Sequence, residues 1–142
     1  LTIRALTLLA LLMPLPALAQ DEMQPLRVEV GDGAPMSYIG TRCAAFYASS
    51  AAYLGDQISE DMQDQVNNIV ALLMMTAADA MEQEGMEPDA ARDAVVSEVE
   101  ALSDAYRQRF DANAEAGRNA FSDDPVYLAD NGDCTAVMTG ED

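Results

Sequence analysis

The chain has 142 residues, 25 of them acidic against seven basic, giving a formal net charge of −18 and a sequence pI near 4.1. All seven cations are arginine, and the sequence holds no histidine, lysine or tryptophan. Lysine Schiff-base and histidine acid–base chemistry are therefore excluded, and nucleic-acid binding is disfavoured because phosphates need a basic stripe and this surface repels them.

The first element in chain order is a secretory signal peptide at residues 1–19, "LTIRALTLLALLMPLPALA". Arg4 precedes an apolar run, and Ala17 and Ala19 give the small-x-small pattern that a signal peptidase cuts. The run is only about fifteen residues and holds Pro14 and Pro16, whereas a spanning helix wants roughly 20 apolar residues. The expected mature chain, residues 20–142, is exported, periplasmic in a Gram-negative cell, and without a stable membrane anchor. It carries 25 acids against six arginines, a formal charge of −19.

Residues 20–35 read as an extended N-terminal arm, because "LRVEV" alternates like a strand but has no second strand to pair with. Residues 36–142 read as one helical domain. Its first helix starts after Pro35 and ends at Gly55, with Ile39, Cys43, Phe46, Ser50 and Tyr53 on one face. The second opens at Ser59, a good N-cap, with Glu60 and Asp61 placed favourably against the helix dipole. Its stripe is Met62, Val66, Ile69, Leu73, Ala77 and Met81, with Gly85 just past its end. The run from Ile69 to Met75 is apolar on nearly every side, which predicts that this helix is the buried, central one. A third helix begins at Pro88, with Ala91, Val95, Val99, Leu102, Tyr106 and Phe110 inward and Gly117 closing it. The short "GMEP" link makes the second and third helices an antiparallel hairpin. In the tail, Asp124 caps a short helix from Pro125 that Gly132 is expected to end.

Cys43 and Cys134 are the two cysteines of the chain. In an oxidising compartment a pair with no spare favours one disulfide. A metal site is the weaker reading, since two thiols without histidine would need carboxylates to complete a tetrahedron. A catalytic thiol would lack a histidine to activate it.

Other chemistry is sparse. "DNGDC" at 130–134 offers Asp130, Asn131 and Asp133 as hard oxygen ligands around a glycine, weak candidates for calcium because the remaining loop positions of an EF-hand are missing. Met62, Met74, Met75, Met81 and Met86 are numerous enough to consider copper, but core packing accounts for Met62 and Met81. Glu82, Glu84, Asp89, Asp93, Glu98 and Glu100 fall outside the apolar stripes and read as a solvated face rather than a catalytic carboxylate pair. No cofactor is expected. "RCAAFYA", followed by a long helical hairpin and a late cysteine, resembles small exported helical proteins of Gram-negative bacteria; that resemblance implies export and a helical fold, and no activity.

The expected fold is all-α, a small bundle of three long helices plus a short C-terminal element, clipped by Cys43–Cys134. The expected role is that of an acidic, non-catalytic interaction protein of the cell envelope, its specific role open; the acidity reads first as a device for solubility and, in the sharper account, as a field that steers in a basic protein partner. An inhibitor or immunity protein for a basic exported enzyme or toxin is the narrower version. A calcium-dependent module or a carboxylate-using enzyme is the reading from another class.

Overall fold

Helices approach closely only where side chains are small, and the segment from Ser37 to Ala51 is the richest in Gly, Ala, Ser and Thr. In the computed structural model, which describes residues 23–140, this segment forms the centre of an all-α bundle. The described residues comprise α1 (Leu26–Gly31), α2 (Met36–Leu54), a 3-10 turn (Gly55–Gln57), α3 (Glu60–Gln83), α4 (Pro88–Glu115) and α5 (Pro125–Thr139). The expected signal peptide lies outside the described residues.

The central helix is α2. Gly40 through Phe46 are all buried, as are Ser37, Ser49 and Ala51, and α1, α3, α4 and α5 all pack against it. The expectation that α3 would be central is overturned: Leu72 is 54 % and Met75 66 % exposed. Only Leu73, Ala77, Ala78 and Met81 of α3 are buried. The small residues of α2 decide the matter, because they let neighbours close in from several sides. Gly40 shows this most directly. A Cβ built there would lie 2.9 Å from the Ala77 Cβ and 2.9 Å from the Leu73 carbonyl oxygen on α3.

The ends of α3 and α4 follow the sequence. The Ser59 side chain accepts a hydrogen bond from the Met62 N–H, Pro88 opens α4 and Glu115 ends it. The expected inward residues of α4 are buried, Leu102 partly so. Phe46, Tyr53, Tyr106, Phe110, Phe121 and Tyr127 join α2, α4, α5 and the link before α5 in one aromatic cluster, with Phe46–Tyr127 and Phe110–Phe121 centroids 4.9 and 5.0 Å apart. Such edge-on and tilted pairs add to the area they bury.

Cys43 and Cys134 are bonded, with Cα atoms 5.4 Å apart across a separation of 91 residues. A loop of that length restricts the unfolded chain by an amount equivalent to at most about 4–5 kcal/mol.

Two local expectations are corrected. Residues 26–31 are helical rather than extended. Leu26, Val28 and Val30 step by two while Leu26 and Val30 stand four apart, so the pattern suits a strand or a helix turn. Val28, 41 % exposed while Leu26 is buried, follows the helix spacing. The α5 helix also runs through Gly132 to Thr139 and stops at Gly140, φ +68°. A mid-helix glycine costs only about 1 kcal/mol, which the disulfide two residues later and the ion pair two residues earlier outweigh.

The close α2–α3 crossing yields a test. Alanine at position 40 would gain roughly 0.5–1 kcal/mol in helix propensity, but its methyl meets a backbone oxygen that cannot swing aside. Gly40→Ala should therefore be destabilising by about 1–3 kcal/mol, measured by denaturant midpoint. A stabilised variant would show that the helices separate easily.

Candidate functional site: an acidic groove beside a closed polar centre

Tyr106 and Asp130 bracket Arg42, and all three are buried; the Arg42 and Asp130 side chains are 0 % exposed. Arg42 Nη2 donates to Asp130 Oδ2 at 2.7 Å and to the Gln24 carbonyl at 2.8 Å. Its Nε donates to Asp130 Oδ2 at 3.0 Å and to the Tyr106 hydroxyl at 2.7 Å. Its Nη1 reaches Tyr38 Oη at 3.0 Å and Glu29 Oε2 at 3.5 Å. The Tyr106 hydroxyl donates in turn to Asp130 Oδ2, while Asp130 Oδ1 accepts the Leu26 N–H at 2.7 Å. The Arg42 guanidinium also sits 5.1 Å from the Tyr106 ring centroid.

The electrostatics follow from burial. Burial works against the Arg42 charge, but Tyr106 and Asp130 beside it more than compensate, so its pKa lies above the ordinary value. Burial, helped by Glu29, pushes the Tyr38 phenol up to about 12. Tyr106 is pushed up further, by burial first and then by Asp130, and burial raises Tyr127 too. Among the described residues no buried side-chain N or O atom lacks a partner. The hydrogen-bonding capacity of the centre is met from within the bundle.

A second internal pair follows the same pattern. Arg109 Nε and Nη2 donate to Asp124 Oδ2 and Oδ1 at 2.8 and 2.7 Å, and Asp124 caps α5 by accepting from the Val126 and Tyr127 N–H groups. Burial alone would raise the Asp124 carboxyl. Arg109 and the two backbone donors outweigh it and hold the carboxyl below its ordinary 3.8. The pair therefore contributes fully above that value and is lost only as pH falls through the lower folded one.

The three candidate calcium ligands do not converge. The segment is helical, so Asp130 faces Arg42, Asn131 is exposed, and Asp133 pairs with Arg27 at 2.9 Å. Asp133 lies within α5, where its carboxylate accepts the Arg27 N–H in the first turn of α1 at 3.3 Å. Among the described residues no three metal-ligating side chains gather. The carboxylates at 82, 84, 89, 93, 98 and 100 are all exposed or half-exposed.

A groove open to a ligand lies on the outer side of the α3–α4 hairpin. Each of these helices packs mainly on α2 and less on the other, leaving a groove of about 270 Å³ between them. Ala78 and Val95, both buried, form its floor, with Met74 half-buried beside them. Met75 and Val96, 66 % and 45 % exposed, form its walls. Asp79 and Glu82 stand on the α3 rim and Arg92 on the α4 rim, where Arg92 is engaged by Asp89 at 3.4 Å. Leu72 lies one turn back on the face of Met75 and Asp79. Sequence reading assigned Met74 and Met75 to a buried helix and so missed the groove. The spacing of Leu72, Met75 and Asp79 opposite Leu73 and Ala77 was the available signal.

No protein-family model, curated protein or solved structure matches this chain. Among the described residues no helix is long and apolar enough to cross a membrane.

Two tests address the polar centre. Arg42→Met strands a buried carboxylate and should cost roughly 3–5 kcal/mol in unfolding free energy. Adding Asp130→Leu should recover only part, because the Leu26 N–H and the Tyr106 hydroxyl then lack an acceptor. Full recovery would show that the pair acts alone. The second test is alkaline. Tyr38 and Tyr106 have folded pKa values above their unfolded 10.0. Their contribution is complete below pH 10 and is lost as pH rises through the folded values. At about pH 11 the folded protein should show at least two fewer tyrosinates by absorbance than the denaturant-unfolded chain. Equal counts would show that the phenols are open to water.

Proposed function

We propose that this chain is an exported, acidic, non-catalytic interaction protein of the cell envelope whose partner is a basic protein. One contrast carries the reading. The buried polar groups are satisfied inside the bundle, while the α3 and α4 surfaces leave carboxylates and large apolar side chains facing water. A catalytic carboxylate needs a cleft and an altered environment. The acids at the groove rim have the first only in part, with Asp79 exposed and Glu82 half-exposed on one helix face.

A formal charge of −18 attracts a basic protein over distances comparable with the screening length and accelerates encounter. The Cys43–Cys134 bond suits an oxidising compartment and supports export. An inhibitor or immunity protein that neutralises a basic exported enzyme or toxin is the narrower form of this reading, in which the negative field is itself the tool.

The test starts with capture of a partner from envelope extract by the mature protein, followed by association rates across salt. Raising ionic strength from about 0.01 M to about 0.15 M shortens the screening length from about 30 Å to about 8 Å. Association should slow by at least about tenfold, and Glu98→Lys with Asp104→Lys should slow it at low salt if the contact is on α4. A rate indifferent to salt would remove the basic partner and leave the acidity as a solubility device. Loss of a chemical activity on changing one carboxylate, with its neighbours silent, would favour an enzyme instead.

A further inference from the structure

Because α3 and α4 both lean on the narrow α2, the hairpin keeps an apolar groove with an acidic rim on its outer side. We infer that this groove, built by Met74, Met75, Ala78, Val95 and Val96 under Asp79 and Glu82, is the docking site for a basic amphipathic helix of the protein partner. The inference rests on the interaction reading above and adds to it a location and an occupant.

Size, shape and charge each select the occupant. The volume of about 270 Å³ is below the roughly 300–1,000 Å³ of pockets that enclose a drug-sized ligand. It suits one or two apolar side chains inserted from a docked segment. The groove runs between two antiparallel helices, and an apolar strip in such a channel is matched by side chains spaced three and four apart on an entering helix. Methionine walls adapt to different anchors because the thioether chain is flexible and polarisable. Arg92 is the one cation on the rim, and Asp89 engages it. Asp79 and Glu82 therefore set the sign of the entrance and favour lysine or arginine flanking the anchors. A second copy of this chain is disfavoured as occupant, since it would bring another formal −18 against the same acidic surface and the desolvation of two like-charged rims.

The probe is a synthetic helical peptide of leucine and lysine, about 18 residues or five turns long, and a scrambled peptide of the same composition serves as control. Binding to the wild-type mature chain is followed by fluorescence anisotropy and by the methionine methyl resonances. The amphipathic peptide should bind and shift Met74 and Met75, leaving Met62 at the far end of α3 and Met138 on α5 unmoved. Met75→Gln with Val96→Thr should weaken binding by about tenfold or more; both positions are exposed, so the bundle should keep its melting temperature. Asp79→Asn with Glu82→Gln should weaken it to a similar degree, whereas Asp56→Asn with Glu115→Gln, the same charge change at the opposite end of the bundle, should not. Equal binding of the scrambled peptide, or equal loss from both neutralised pairs, would show attraction by diffuse charge and overturn the groove. Absence of binding by the amphipathic peptide, or a wild-type dimer in sedimentation that Met75→Gln dissociates, would also overturn it. A captured partner that binds Met75→Gln with Val96→Thr as tightly as the wild type would refute the groove while leaving the interaction function standing.

Discussion

A guanidinium held away from water must have its charge and all of its N–H groups answered from within the protein. Arg42 meets that condition by gathering groups from four helices and the segment before them. Asp130 comes from α5, Tyr106 from α4, Tyr38 from its own helix, Glu29 from α1, and the Gln24 carbonyl from the chain just ahead of α1. Asp130 is the pivot, because its second oxygen takes the first N–H of α1. A six-residue helix would not persist alone in water. Here α1 is held by that capping bond, by buried Leu26 and by the Arg27–Asp133 pair. One buried charge thus fixes the register of the two terminal helices against the hairpin, and the disulfide four residues along α5 holds the same junction covalently.

The same economy of space shapes the surface. With Gly40, Ala44 and Ala45 at its crossings, α2 is thin enough for α3 and α4 to share it. Both present their best apolar residues to α2 rather than to each other. The second-best residues, Leu72, Met75 and Val96, are left outside. Apolar side chains exposed singly are ordinary on protein surfaces; Met75 and Val96 border one groove and stand beside carboxylates, which gives them a shared direction.

Cation placement divides inside from outside. Arg42 and Arg109 hold the bundle together through buried or half-buried acids, and Arg118 braces Asn113 at the α4 end. The remaining described arginines pair with Asp133, Asp89 and Asp104, and the two exposed i,i+3 pairs on α4 contribute little to stability. With so few cations committed in this way, the surplus carboxylates face solvent unneutralised. The polar contribution to stability therefore resides in a small number of desolvated contacts, and the outer field is left negative.

Periodicity and end signals carried the long helices. Ser59, Pro88, Asp124 and the stripes through Leu73 and Phe110 act within one or two turns, where local physics decides the outcome. The cysteine pair was legible because only two cysteines exist. Three things were not local. The strand-like "LRVEV" became a helix because Asp130, more than a hundred residues away, supplies its cap. Gly132 failed to stop α5 because Cys134 and Asp130 anchor the helix on both sides of it. Arg42, unremarked in the sequence reading, became the centre of the molecule because its five partners meet only after the helices pack. The groove has the same origin. Its residues are spaced alike on paper with those of the core, and which face turns outward depends on how closely a glycine and a few alanines let the neighbouring helices come. Composition and spacing thus determined the helices, their caps and the sign of the surface, and tertiary packing alone decided which charges were buried and which apolar residues stayed exposed.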